Sequence, residues 1–427
     1  MRDEKDLLLE TLNSHKDGYI RRLAELVAID TRDLGHGIEG GLEEKGQEYL
    51  RGLFQEMKAG DIVSEAMSEG PIQKAMEQYQ EGNPGHNYDK RYNLYARFKG
   101  TGGPSILFNG HIDTMPPGDE SAWTHPPFGA ETLGGRLYGL GACDMKGGLA
   151  ASIMAVKLLQ DAGIPLPGDV IITSVCDEEG GGNGSILAAM GGQKADAVVV
   201  CEPTEGALLL AHMGFVFFKV EVQGVSVHSG GKVNGVNAID KAIKIIRALD
   251  ELEHDWLLRY KHPLLPPPSG NVGVIEGGTA GSTVPDYCVF KTCVHYHPAT
   301  MSHSQVAAEY QRAIDLCCDG DGFLKDHRPK VSVYQAGGPF EMEADHPLVG
   351  CFSAAWRDVF NAAPVIAGSP AGCDSRVWRN IAGCPTIQYG PGSLKQCHAV
   401  DEYVEIQEYL DAILIYAHLI LRWGRRR

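Results

Sequence analysis

The sequence predicts an α/β fold in which a mixed, doubly wound sheet forms the main domain and a smaller α+β domain is inserted into it. Three observations point there. Short buried strands alternate with helices of 3.6-residue periodicity before Thr204, and the pattern returns towards the carboxyl end. Several of those strands run straight into a His or a carboxylate, at the rim where an open α/β sheet binds its ligands. The stretch between reads as antiparallel strands with two helices and carries no acidic cluster.

Composition narrows the class. At 427 residues the chain exceeds one ordinary core, so two domains are expected. The formal charge of −17 argues against nucleic acid and against anionic membrane surfaces as partners. No apolar run approaches the length of a membrane span; the longest, Ala412 to Leu421, is broken by Tyr416 and His418. Met1 to Asp6 lacks the apolar core of a signal peptide. The 11 cysteines are odd in number and show no C-x-x-C spacing, so a reduced cytoplasmic protein is expected.

In chain order, Asp6–Val27 and Glu43–Met57 carry helical periodicity. Asp61–Arg91 is polar, with Met67, Met76 and Tyr79, and reads as a helical insertion on the surface. Tyr92–Phe98 alternates and reads as a strand paired with Ser105–Phe108, the strand that leads into Asn109-Gly110-His111-Ile112-Asp113. Glycines around Asp144 in Gly139–Gly148 permit tight backbone geometry. Leu149, Ile153, Val156 and Leu159 then mark one face of a helix that Asp144 could simply cap. Val170–Val175 is a buried strand that delivers Asp177-Glu178-Glu179, and Ala197–Val200 is another that delivers Glu202.

The character changes after Thr204. Phe215–Val222, Asn271–Ile275 and Val284–Tyr296 read as strands; Ala238–Leu252 and Gln305–Leu316 read as helices. Doubly wound character returns with the helix Leu348–Phe360, the strand Thr386–Tyr389, a glycine-rich loop to Cys397-His398, and a last helix from Ile406 to Leu421.

Two histidines, one aspartate and two glutamates, spread over five strand-end loops, can hold two divalent metals if one carboxylate bridges. Mixed nitrogen and oxygen ligation favours zinc, cobalt or manganese over calcium. Of the adjacent pair Glu178-Glu179, one can ligate while the other accepts a proton from water, a division suited to hydrolysis of an amide or ester. No G-x-S-x-G elbow, H-E-x-x-H helix or P-loop occurs in the chain. Cys143 or Cys397 as a nucleophile would be blunted by acidic neighbours.

The motifs G-H-x-D-x-x-P-x-G at Gly110–Gly118, G-A-x-D-M-K-G-G at Gly141–Gly148, D-E-E at Asp177–Glu179, E-P-T at Glu202–Thr204 and the late Cys397-His398 resemble the M20 metallopeptidase family. That family includes acetylornithine deacetylase, succinyl-diaminopimelate desuccinylase, carboxypeptidase G2 and aminoacylase. The resemblance implies one metal held by His111, Asp144 and Glu202 and a second by Asp144, Glu179 and His398. Zinc is the expected ion, with cobalt or manganese as substitutes. Asp113 would orient His111, and Glu178 would be the general base. The inserted domain, 209–329, would be a ferredoxin-like lid and dimerisation domain between catalytic segments 1–208 and 330–427. Its His228 would reach the partner subunit of a homodimer and steady the tetrahedral oxyanion.

Two departures fall in the part that reads the substrate. Many relatives have an Asn three residues before the proline corresponding to Pro285; here that residue is Ser282. An Arg in the following strand, which often grips a substrate carboxylate, is here His295. Arg376 is the candidate replacement. The expected reaction is cleavage of the amide of a small N-acyl amine or amino acid. Alternatives are a di- or tripeptidase or carboxypeptidase of the same fold and, behind both, a non-catalytic binding protein. Intact Glu178 speaks against that last reading.

Overall fold

The computed structural model describes residues 4–426. Residues 1–3 and 427, the outermost ends of the first and last expected segments, lie outside the described residues. The chain forms two compact units. One holds the residues up to Leu210, Met342–Ala367 and those from Cys373 onward; the other holds Ala211–Glu341 and Gly368–Gly372.

The first unit is built on a mixed sheet. Thr386–Gln388, Val198–Val200, Gly103–His111 and Gly168–Val175 lie side by side and parallel. Tyr92–Phe98 and Asp61–Ala66 continue the sheet antiparallel. The strands are short runs of Val, Ile, Leu and Phe because helices cover both faces. Successive residues of one strand show it. Leu107 packs in a cluster with Ala188 and Trp378. Phe108, its neighbour, meets the Tyr416 ring edge-on, 5.0 Å between centroids. Helices Gly147–Asp161 and Ile406–Gly424 pack against each other, the first starting directly after the Asp144 loop. The parallel strands all end at one rim, and His111, Asp177 and Glu202 emerge there.

The second unit is a four-stranded antiparallel sheet in the order Ser269–Gly277, Tyr287–Tyr296, Gly214–Gln223, Lys330–Gly337. With helices Ala238–Arg259 and His303–Asp319 its chain order is βαββαβ, the ferredoxin-like arrangement. Val216, Phe218, Val220 and Val222, at strand period, face the helices, and Phe218 stacks on Tyr310 at 3.9 Å.

Three sequence expectations need correction. Asp61–Arg91 is not a surface helix throughout. Asp61–Ala66 is an edge strand, only Glu69–Tyr79 is helical, and Glu81, His86 and Arg91 are buried. An edge strand wetted on both faces loses the apolar alternation that would reveal it. Tyr92–Phe98 pairs not with the strand leading into His111 but with Gly168–Val175, which lies between them. Finally, Lys330–Gly337 belongs to the inserted unit, because it pairs along Gly214–Gln223; that unit therefore ends after 329. Among the described residues no helix is long and apolar enough to cross a membrane.

Candidate metal centre

His111 closes its strand with a buried ring. Its Nδ1 donates to the main-chain carbonyl of Asp113 at 2.9 Å, which fixes the tautomer and leaves Nε2 as the donor atom for the site. The Asp113 carboxylate was expected to do this orienting. It stands 3.7 Å from Nδ1 and instead accepts the backbone N–H of Glu179 at 3.1 Å. Asp113 thus ties the His111 loop to the Glu179 loop.

Asp144 lies between the two histidines. His111 Nε2 is 3.2 Å from its Oδ1, and His398 Nε2 is 3.6 Å from its Oδ2. Glu202 Oε1 is 3.9 Å from His111 Nε2, and Glu179 Oε2 is 3.0 Å from His398 Nε2. His111, Asp144 and Glu202 therefore offer one set of ligand atoms, all within 4.8 Å of one another. Asp144, Glu179 and His398 offer a second set that shares Asp144. Imidazole and carboxylate donors in this number fit first-row divalent ions.

Electrostatics point the same way. Burial pushes the carboxyls of Glu178, Glu179 and Glu202 up. Negative neighbours add to it, Asp374 for Glu178 and Asp144 for the other two. Asp144 is held low despite burial, by its hydrogen bond to His111. The His398 imidazole is pushed up to about 9 by its hydrogen bond to Glu179. So many carboxylates gathered out of water are costly unless positive charge joins them.

The loops carrying these residues are held from behind. Glu402, buried, accepts backbone N–H groups of Gly141, Cys143 and Asp144 at 3.0, 2.8 and 3.0 Å. Burial pushes its carboxyl up to about 8. Lys146, two residues past Asp144, buries its ammonium on the carbonyl of Ile29 at 2.8 Å. Asp374 is buried beside Glu178 and accepts the hydroxyl of Ser185 at 2.5 Å and the amide of Asn109 at 3.3 Å. Sequence reading left Glu402 and Asp374 unassigned. The one signal was their place, four residues after His398 and two before Arg376.

Arg376 is not available as a carboxylate grip. Its side chain is only 2% exposed and is committed to Glu81 at 2.9 Å and to the carbonyls of Cys373 and Gly181 at 2.7 and 3.1 Å. The other three candidates belong to the second unit. His295 lies on the sheet face turned away from the helices, half-buried, and burial pushes its imidazole down, towards the neutral form. Ser282 is exposed and its carbonyl accepts from the Ser229 N–H at 2.8 Å. His228 is exposed and its Nδ1 accepts from the Gly230 N–H at 3.2 Å.

Comparison with known proteins follows the same lines. Residues 107–422 match the model of a family described as peptidase family M20/M25/M40. The chain is 33% identical over 362 residues to N-formyl-4-amino-5-aminomethyl-2-methylpyrimidine deformylase of Bacillus subtilis (strain 168), covering 78% of this chain and 84% of that enzyme. It is 30% identical over 324 residues to acetylornithine deacetylase of Proteus mirabilis (strain HI4320), covering 74% and 78%. The fold is that of an M20 family metallo-carboxypeptidase from Sulfolobus solfataricus, with a TM-score of 0.74, 17% identity, and 95% and 99% of the two chains covered. The chain belongs to peptidase family M20/M25/M40 and is a hydrolase of C–N bonds.

Proposed function

We propose that the protein is a dinuclear metal-dependent deformylase that releases formate from a small, uncharged N-formyl amine. The observation that carries the reading is the pair of ligand sets sharing Asp144, with Glu178 beside them. His111, Asp144 and Glu202 would hold one ion, and Asp144, Glu179 and His398 the other; zinc suits the donors, with cobalt or manganese as substitutes. Divalent ions bound there would supply the Lewis acidity that makes water a nucleophile near neutral pH.

Glu178 would do the proton work. Its carboxylate accepts a proton from the attacking water as the O–C bond forms. It then returns that proton to the amine nitrogen as the C–N bond breaks, leaving a primary amine and formic acid, which releases the second water proton to solvent as formate. Burial and the neighbouring Asp374 carboxylate hold its carboxyl well above the ordinary range. Asp113 positions His111 and Glu179 from behind. His228 would reach the site of a partner subunit and steady the oxyanion, which makes the protein a homodimer through its inserted domain. Its compartment would be the cytoplasm.

The choice of an N-formyl amine rests on what is missing. Arg376 is spent on Glu81, burial pushes the His295 imidazole down, and Ser282 offers one short hydroxyl. A substrate carboxylate would find no bidentate partner among these candidates. The Bacillus subtilis relative is named for an N-formyl aminomethylpyrimidine substrate, which has no carboxylate in its name.

The test is a matched set: an N-formyl aminomethylpyrimidine, N-formyl benzylamine, the corresponding N-formyl amino acid and a dipeptide, compared by kcat/KM. The amines should lead. Preference for the amino acid or the dipeptide by more than tenfold would replace this reading with an acylamino-acid hydrolase or a peptidase.

A further inference from the structure

Residues 80–91 form no regular element, yet this stretch is anchored residue by residue behind the loop that carries Glu178 and Glu179. Asn83 donates from Nδ2 to the carbonyl of Gly180 at 2.8 Å, and its backbone N–H reaches Asn183 Oδ1 at 3.0 Å. His86 donates from Nδ1 to Asp177 Oδ2 at 2.8 Å, with both side chains fully buried. Arg91 Nη1 lies 3.0 Å from Asp177 Oδ1 while its other nitrogens hold Glu43. Glu81 holds Arg376, whose Nη2 donates to the carbonyl of Gly181 at 3.1 Å.

These contacts bracket the catalytic pair. Asp177, Gly180 and Gly181 are each gripped from outside, and Glu178 and Glu179 are the residues in between. The grip works against local preference: Asp177 has φ +63°, a left-handed conformation that costs free energy and persists only where the surroundings impose it. Packing around the grip is tight. A Cβ on Gly180 would stand 2.5 Å from Asp177 Oδ1, and one on Gly37 would stand 2.2 Å from His86 Nδ1.

We propose that the 80–91 segment is a clamp that sets where Glu178 and Glu179 stand, with His86 and Asn83 as positioning residues acting through Asp177 and Gly180. Neither residue touches the reacting atoms. The proposal rests on the dinuclear reading above, since it is through Glu179 that the clamp bears on metal.

Cobalt(II) titration of metal-free protein, followed by visible absorbance and by competition with a chelator, reads this without any substrate. Wild type should take up two equivalents. His86→Ala and Asn83→Ala should each weaken one of the two by at least ~10-fold, the usual effect of removing a group that orients a ligand, and alter the cobalt spectrum. His86→Asn, which keeps a donor for Asp177, should stay within about threefold of wild type, a rescue that lost stability alone would not produce. If His86→Ala does not fold, Asn83→Ala decides, because it removes one half-buried amide. Wild type binding two ions, with the alanine variants indistinguishable from it whatever their melting temperatures, would overturn the clamp alone. Wild type binding none would overturn the dinuclear reading and the clamp with it.

Discussion

The carboxylate of Glu402 accepts the backbone N–H of Asp144 itself at 3.0 Å, besides those of Gly141 and Cys143. Glu402 stands four residues after His398, so one side chain ties the loop of one candidate ligand to the backbone of the shared one. A carboxylate accepting three main-chain donors out of water is a rigid anchor, because each donor left alone there costs about 1–3 kcal/mol. Glu402→Ala should therefore lower the melting temperature and weaken zinc binding in chelator competition by at least ~10-fold. Glu402→Gln, which keeps an acceptor oxygen, should fall between. Unchanged zinc affinity in the alanine variant would mean that the Asp144 loop holds its shape without Glu402.

Glu178 and Glu179 are neighbours with different expected losses. Glu178→Gln cannot accept the proton and should lower kcat by at least ~10²-fold with both metals retained. Glu179→Gln should instead shed metal, read by elemental analysis after gel filtration. The opposite pattern would exchange the two roles.

The inserted unit offers a pH test of its own. Burial tends to raise the Glu309 carboxyl, but hydrogen bonds from Arg259, Gln305 and Trp256 outweigh it and hold the group at about 2. The unfolded chain binds this proton near the ordinary value of 4.5. Stability from Glu309 is thus complete above pH 4.5 and is lost as pH falls towards 2. Melting temperatures should drop over that window in wild type, and Glu309→Gln, less stable at pH 7, should drop less. Parallel curves would show that Glu309 does not set the acid limb.

His228 gives a test of assembly. If His228 serves a partner's site as proposed, inactive His228→Ala mixed with inactive Glu178→Gln, under conditions of subunit exchange, should regain activity, because each mixed dimer would hold one site with both residues intact. No recovery despite proven exchange would mean that His228 serves its own chain or none.

Much of this was legible in the residues. His111, Asp144, Glu179, Glu202 and His398 each sit in a short motif at the end of an apolar strand or at a glycine-rich turn, and local spacing marks such positions. The helices and buried strands were legible for the same reason, their periods being local. What was hidden depends on partners far along the chain. Asp61–Ala66 lacks a one-sided apolar pattern because it is an edge. His86 and Arg91 read as part of a polar surface insertion because their partner Asp177 lies far along the chain. Arg376 looked available for a substrate carboxylate only because Glu81, 295 residues away, could not be seen beside it. Asp113 was expected to orient His111; the ring's hydrogen bond goes to the Asp113 carbonyl, a choice that only backbone geometry reveals.

Stepwise zinc addition to metal-free enzyme, with formate release from an N-formyl aminomethylpyrimidine measured at each step, tests the shared-Asp144 centre most directly. Two ligand sets sharing Asp144 predict no turnover without metal and activity that rises to a plateau at two equivalents per chain. Full activity at one equivalent or fewer, or formate release from the metal-free protein, would contradict it.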